Sequence, residues 1–149
     1  MGKVLSVNIS KDKQKPKKGT SSIDIDLQRG VKGDAHEGAS MQVSILPYEA
    51  VSTELGDTRD FPPGCFAENI TTQGIDLSGI KVGDLIKAGE VILKVVQLGK
   101  PADQSHTYSF KERSLLPKYG IFANVINPGR ITKGNELLII GDPHSDENL

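Results

Sequence analysis

The 149-residue chain has one cysteine, Cys65, no tryptophan, and three histidines, His36, His106 and His144. A single thiol cannot close an intrachain disulfide or build a multi-cysteine zinc or iron–sulfur site, and three scattered histidines leave little for a histidine-rich metal centre. No metal ligand set is therefore expected. An excess of one charge is also missing: 18 Lys and Arg stand against 19 Asp and Glu, a formal net charge of −1. That balance argues against a dedicated nucleic-acid binder, which would carry a strongly basic surface. No apolar run approaches the roughly 20 residues of a membrane helix. The first ten residues lack the continuous apolar core and cleavage site of a secretory signal. A lone thiol without an export signal makes the cytoplasm the expected compartment.

Glycine and proline are plentiful, at 16 and 8 residues. They fall between short runs rich in Val and Ile, the pattern of a strand-dominated fold. Strands are expected over residues 3–10, 22–27, 42–46, 66–71, 77–80, 85–88, 91–98, 121–126, 130–132 and 136–140. Pro47 suits the start of a helix over Tyr48–Leu55, and a second short helix is expected over 108–115. The segment 11–22, with Lys11, Lys13, Lys15, Lys17 and Lys18, reads as a solvated loop first and a phosphate-binding arm second. A mainly β protein results, a barrel with one or two short helices. Residues 1–141 form one domain in this reading, and residues 142–149 a polar tail.

Two polar segments interrupt the apolar runs. In Gly33-Asp34-Ala35-His36-Glu37-Gly38 a carboxylate two residues before an imidazole can orient it or bind a ligand with it, although a plain turn fits equally. In residues 64–72, Glu68 and Asn69 must face solvent or be satisfied inside, and Asn69 can instead tie a turn through bonds to the backbone. Thr71 and Thr72 add hydroxyls beside them. Cys65 would be a nucleophile only if its pKa were lowered, and no histidine is its sequence neighbour. Lys100, His106 and Arg113 would form an anion site if they converge, or a scattered surface if they do not.

The ordered set Gly33-Asp34-x-His36-x-Gly38, Gln42-Val43-Ser44-Ile45-Leu46, Pro63-Gly64-x-Phe66-x-Glu68-Asn69-Ile70-Thr71-Thr72, Gly74-Ile75-Asp76-Leu77, Val82-Gly83-Asp84 and Pro117-Lys118-Tyr119-Gly120-Ile121-Phe122-Ala123 closely resembles the MOSC domain. That domain ends molybdenum cofactor sulfurases and also stands alone in short bacterial proteins. The resemblance covers residues 3–141 and implies a β-barrel-like MOSC fold with a ligand pocket. It also implies a link to molybdenum cofactor and sulfur transfer, association with molybdenum ion and pyridoxal phosphate, and a cysteine desulfurase or molybdoenzyme as partner. The family's sulfur-carrying cysteine would follow the long strand, where this chain has Ala102. A persulfide carrier needs a thiolate, which alanine cannot supply.

Asp34, His36, Gln42, Glu68, Asn69 and Thr72 remain as binding groups for a small anionic ligand such as molybdate or a pterin phosphate, with Lys100 and Arg113 countering its charge. Three readings follow. The first is a protein that binds molybdenum cofactor or a related anion without the covalent step. The second is a sulfurtransferase using Cys65 as a displaced catalytic thiol. The third is a non-catalytic interaction domain with a vestigial pocket, in which the lysine-rich segment 11–18 matters more.

Overall fold

The structure, a computed structural model, describes residues 2–100 and 108–140. The chain runs β1 (Gly2–Ile9), β2 (Lys18–Thr20), β3 (Ser22–Asp26), β4 (Gly30–Val31), β5 (Val43–Pro47), α1 (Tyr48–Leu55), β6 (Ile70–Gln73), β7 (Leu85–Ala88), β8 (Val91–Leu98), α2 (Leu116–Tyr119), β9 (Ile121–Asn127), β10 (Gly129–Thr132) and β11 (Glu136–Ile139). The polar tail 142–149 lies outside the described residues. Among those described, no helix is long and apolar enough to cross a membrane.

Strand closure organises everything else. The sheet runs β11-β7-β8-β9-β5-β6-β1, and β11 pairs back onto β1 at Gly2↔Leu137 and Lys3↔Glu136, so seven strands close into a barrel. Closure removes the open edges that would otherwise invite pairing with other chains. One edge of β1 is shared, with β11 at its start and β2 at Val7–Ile9, while β6 takes the other edge. A small second sheet, β10-β3-β4, packs beside the barrel.

The register follows from residue chemistry. Inside the barrel Val4, Val7, Ile45, Ile70, Leu93, Val95, Ala123 and Leu137 are at most 1% exposed, and their short, stiff β-branched or aliphatic chains fill the interior. β5 and β6 run parallel at Ile45↔Ile70, which demands a crossover, and α1 supplies it. Pro47 opens that helix at φ −70, and Gly56 closes it at φ 71 with its N–H on the Ser52 carbonyl. Beneath α1 a second apolar cluster gathers Leu46, Val51, Cys65, Phe66, Leu115, Leu116 and Phe122. Phe61 stacks on Phe66 there, their centroids 5.8 Å apart.

Two short strands form where none was expected, β2 inside the segment 11–22 read as a solvated loop and β4 at Gly30–Val31, and three expected elements differ from the sequence pattern. Residues 77–80 form a turn, not a strand: Asp76 accepts bonds from the Ser78 N–H and hydroxyl at 2.9 and 2.6 Å, and Ile80 N–H reaches Leu77 O at 3.2 Å. That turn buries Leu77 and Ile80 together, so their spacing was a plug and not an alternation. The strand expected over 66–71 begins only at Ile70, because the preceding residues coil into turns with Cys65 N–H on Pro62 O and Ala67 N–H on Gly64 O. The helix expected over 108–115 is instead Leu116–Tyr119. Before it, Phe110 and Arg113 exchange backbone bonds across Lys111 and Glu112, which hold φ 50 and 66.

Gly64 sits at φ 93, with its α-carbon facing the Lys17 carbonyl and the Asn8 side chain, the latter 2.9 Å from where a Cβ would lie. Left-handed backbone and close approach together demand glycine here. Gly64→Ala should destabilise the protein by about 2–4 kcal/mol through strain and overpacking. Denaturant unfolding would check this; a loss no larger than that of Ala at open Gly33 would contradict the packing account.

Candidate functional site

The most unusual pair in the molecule is Lys17 with Asp34. A lysine in a lysine-rich segment is ordinarily solvated, yet Lys17 is 4% exposed and Asp34 6%. Lys17 Nζ donates to Asp34 Oδ1 at 2.7 Å. Lys17 therefore departs from the solvated loop that its neighbours suggest. Its backbone explains why: Lys17 N–H bonds Gly64 O at 2.9 Å, anchoring the loop to the turn before β6.

Asp34 is saturated with donors. Ser10 N–H reaches Oδ1 and His36 N–H reaches Oδ2, both at 3.1 Å, and His36 Nδ1 stands 3.5 Å from Oδ2. Burial pushes the Asp34 carboxyl up, but the bonds from His36 and Lys17 and the Lys17 charge outweigh it, leaving Asp34 well below the usual carboxylate range. His36, with its side chain 45% exposed, stands in front of this pair, its Nδ1 3.4 Å from Lys17 Nζ.

A second polar network lies deeper. Asn8, fully buried, donates to Glu68 O at 3.1 Å and to Thr71 Oγ1 at 3.0 Å, and accepts from Ser6 Oγ at 2.6 Å. Glu68 Oε2 accepts from Gly64 N–H at 3.1 Å and from Thr71 Oγ1 at 2.8 Å. Its Oε1 is buried with no partner among the described residues. Burial raises the Glu68 carboxyl to about 7, against the opposing pull of its hydrogen bonds. Asn69 joins β1 to β5: Oδ1 accepts from Ser44 N–H at 3.1 Å and Ser44 Oγ at 3.2 Å, and Nδ2 donates to Asn8 O at 3.3 Å.

These parts surround a cavity of about 170 Å³ lined by Lys17, His36, Ser44, Asn69, Lys100 and Tyr108, with Asp12 and Lys15 at the loop side and Met41, Leu116 and Phe122 as apolar wall. Ser44 and Phe122 are paired across β5 and β9, which brings both to the same wall. Lys100 is half-buried; its Nζ lies 5.2 Å from the centre of the Phe122 ring, and burial lowers its pKa. No carboxylate pairs with it among the described residues. Tyr108 donates its hydroxyl to Cys65 O at 2.8 Å, and burial, then the Cys65 and Glu68 charges, raise its pKa to about 12.

The structure divides the residues singled out from the sequence. Asp34, His36, Asn69 and Lys100 meet at or directly behind the cavity. Gln42 does not line it: its side chain bridges Leu27 O and Val125 N–H at 3.2 and 2.7 Å, clamping the second sheet to β9. Glu68 and Thr72 are buried behind the wall, and Thr72 Oγ1 has no partner among the described residues. Arg113 is exposed and lies near Glu54, away from the cavity. His106 and Ala102 lie outside the described residues. Cys65 is 2% exposed within the apolar cluster, and burial, then Glu68, push its thiol up to about 12. That environment is the reverse of one that activates a nucleophile. Lys17, Ser44 and Tyr108 were missed by sequence reasoning. The Lys17–Gly64 backbone bond and the Asp34 ion pair distinguish Lys17 from its neighbours, and no local pattern reveals either.

A larger cavity, about 690 Å³, lies across α2 over Ile75, Leu77, Ile80, Leu98 and Ile121. Its charged groups are already engaged: Glu49 with Gly74 N–H, Asp76 with Ser78, and Lys118 with Glu54, each within 2.9 Å. The smaller cavity differs in having a mainly cationic set of charged groups, Lys15, Lys17 and Lys100 against Asp12. Among the described residues no cluster of His, Cys, Asp and Glu is arranged to hold a metal ion.

The MOSC domain family matches residues 32–138. No curated protein matches the chain. Among solved structures, the YuaD protein of Bacillus subtilis is similar at TM-score 0.71 and 23% identity, with 91% of this chain and 93% of that one covered. YiiM of Geobacillus stearothermophilus is similar at TM-score 0.70 and 23% identity over 94% of this chain and 75% of its own. YiiM of Escherichia coli follows at 0.65 and 21%, over 94% and 70%. At these identities the likeness carries the fold.

Two outcomes follow from the buried charges. Lys17→Met should cost about 3–5 kcal/mol, because it leaves Asp34 buried without its cation; a loss under about 1 kcal/mol in chemical denaturation would mean that the pair is dispensable. Glu68 ordinarily titrates near 4.5 and folds with a value of about 7, so the folded state holds the extra proton between those values. Its contribution is full below pH 4.5 and falls as pH rises through 7, by roughly 3 kcal/mol in all. Asp34 acts oppositely, its contribution lost as pH falls through the acid range. Glu68→Gln should flatten the decline between pH 5 and 8, as read from melting temperature; an unchanged slope would contradict it.

Proposed function

Because the chain belongs to the MOSC domain family, we propose that its small cavity binds an oxyanion, either free molybdate or the anionic end of molybdenum cofactor or a related ligand. The observation that carries this reading is the charge arrangement: Lys17 is balanced by Asp34, so Lys100 and Lys15 stand in excess of Asp12, and His36 adds positive charge when protonated. Lys17 has further ammonium protons beyond the one given to Asp34. Asn69 and Ser44, locked by their own bonds, present polar edges to the same space.

The size of the cavity narrows the ligand. Drug-sized ligands occupy roughly 300–1,000 Å³, and about 170 Å³ suits one oxyanion or phosphate group, with any larger body outside. The lining fits anionic oxygens: it offers ammonium, imidazole, amide and hydroxyl groups. It offers no thiol among the described residues, so the fit is to the ligand's anionic groups and not to the metal itself. Bound molybdenum cofactor would supply the redox-active metal; this chain's residues would bind its charge, orient it and exclude water on the Phe122 and Leu116 side. Pyridoxal phosphate, associated with the family by resemblance, would use the same phosphate seat. A molybdoenzyme is the partner this reading implies. Sulfur transfer through Cys65, with a cysteine desulfurase as donor, is disfavoured by a buried thiol held protonated.

Molybdate and phosphate should raise the melting temperature, by the equivalent of about 2.7 kcal/mol at a hundredfold excess over Kd. Lys100→Met should weaken the effect by about ten- to a hundredfold in apparent affinity, since a charge-assisted contact is worth about 1.5–3 kcal/mol. No shift with either anion, and no molybdenum in protein purified from its own cell, would overturn the reading in favour of an interaction domain whose pocket is vestigial.

A further inference from the structure

The turn at residues 62–69 carries more of the small cavity than Ala67 and Asn69, the two of its residues that line it. The Gly64 carbonyl accepts the Lys17 N–H at 2.9 Å, the Cys65 carbonyl accepts the Tyr108 hydroxyl at 2.8 Å, and the Ala67 carbonyl accepts the Ser44 hydroxyl at 3.4 Å. Three further lining residues are thus held by this one turn. Ala67 keeps φ 70 within it, a conformation that a non-glycine residue holds only where its surroundings enforce it. Glu68 follows directly, and its Oε2 folds back onto the Gly64 N–H at 3.1 Å while accepting from Thr71 Oγ1 at 2.8 Å. Its other oxygen, Oε1, is buried without a hydrogen-bond partner, and the carboxyl makes no ion pair, among the described residues. A buried carboxyl with no cation and half of its acceptor sites empty is costly to ionise, and burial raises Glu68 to about 7. Cys65 and Tyr108, on which its charge acts, are pushed up to about 12, by burial first, and stay neutral. Across the turn stand the Lys17–Asp34 pair, His36 and Lys100.

We propose that the small cavity takes up its oxyanion together with a proton, and that Glu68, buried behind the cavity wall, is the residue that carries this proton. This inference rests on the anion-binding reading and adds to it a regulation by pH. The cause is like charge in a poorly solvated space. An oxyanion in the cavity and a carboxylate behind its wall repel each other, whereas an oxyanion and a neutral carboxyl do not. Both chain neighbours of Glu68 line the cavity, and its charge already reaches Tyr108 on the same wall. A bound anion therefore raises the affinity of Glu68 for its proton, and by linkage the proton raises the affinity of the cavity for the anion by the same factor. Acid pH tightens binding, and binding weakens as pH rises through about 7. Protonated, the carboxyl keeps both contacts of Oε2 and places the hydrogen on Oε1, the oxygen that has no donor to lose. The turn, and with it Lys17, Ser44 and Tyr108, is held alike in both states, so the coupling is electrostatic and needs no rearrangement.

Sulfate is the probe, a tetrahedral dianion whose own charge stays constant over the pH range used. Calorimetric titration of the intact protein near pH 7, in two buffers of different ionisation enthalpy, should show uptake of about half a proton per sulfate bound, because a group at its midpoint is half protonated beforehand. Between about pH 6 and 8.5 the Kd for sulfate should rise about tenfold, the coupling that one pKa unit represents. His36 also gains charge on protonation at this cavity, and His36→Gln separates it: that variant should bind more weakly yet keep the proton uptake. Glu68→Gln, a neutral isostere of the protonated acid, should lose the uptake and bind sulfate at pH 8.5 about tenfold more tightly than the unmutated protein. Difference infrared spectroscopy of the unmutated protein decides even where that variant does not fold, since added sulfate should strengthen the protonated-carboxyl stretch. Sulfate binding without proton uptake, an unchanged carboxyl band, or an uptake lost in His36→Gln and kept in Glu68→Gln would overturn the inference and leave the anion-binding reading intact. No binding of sulfate or molybdate at any pH, in the unmutated protein and in Glu68→Gln alike, would overturn both.

Discussion

The site depends on the buried pair of Lys17 and Asp34. Neither residue lies in a strand or helix, and the segments that carry them, before β2 and after β4, have little secondary structure of their own. Without an internal tie, two polar loops of this kind would fluctuate over the end of the barrel. The ion pair at 2.7 Å joins them, with Ser10 and His36 amides filling the remaining lone pairs of Asp34. Desolvating two charges is costly, and what offsets it here is the completeness of the hydrogen bonding around the carboxylate. The return is positional: Lys17 Nζ and His36 are held at one wall of the cavity.

The same logic, with the opposite sign, governs Glu68. This carboxyl is buried as deeply as Asp34 but faces no cation, only the Gly64 amide and the Thr71 hydroxyl. Its pKa therefore rises where that of Asp34 falls. Burial raises both acids; at Asp34 the bonds from His36 and Lys17 and the Lys17 charge outweigh it, and at Glu68 the hydrogen bonds do not. Glu68 also acts on its neighbours, raising both Cys65 and Tyr108. Any account in which Cys65 carries sulfur must first explain how a thiol beside a buried carboxyl and inside an aromatic cluster becomes a thiolate.

Much of the barrel was legible in the sequence because closed β architecture leaves a regular trace: Val- and Ile-rich runs, a proline before α1, and glycines at the turns. The helix Tyr48–Leu55 and the hairpin of β7 and β8 were readable to the residue. Residues 77–80 were not, since two apolar side chains three apart look alike whether a turn or a short strand buries them. Residues 108–115 failed for another reason: positive φ at Lys111 and Glu112 is imposed by the bridge between Phe110 and Arg113, and neither residue type announces it. The candidate site was half legible. Asp34, His36 and Asn69 stand out as polar residues among apolar ones, whereas Lys17 is one of five lysines in eight residues. Contacts far along the chain, with Asp34 and Gly64, distinguish it.

Burial then separates the motif residues into two trades. Gln42, Glu68 and Thr72 are spent on construction: Gln42 bonds both the residue after β3 and β9, Glu68 holds the turn at Gly64, and Thr72 is sealed inside β6. Asn69 does both, tying β1 to β5 while exposing one edge to the cavity. The groups free to meet a ligand, Lys100, Lys15 and the face of His36, come mainly from loops and strand ends. A motif match therefore speaks for the wall of the cavity more strongly than for its contents. What the candidate site can bind depends on which charged side chains the loops place over that wall, and among the described residues Lys100 is half-buried there without a carboxylate partner.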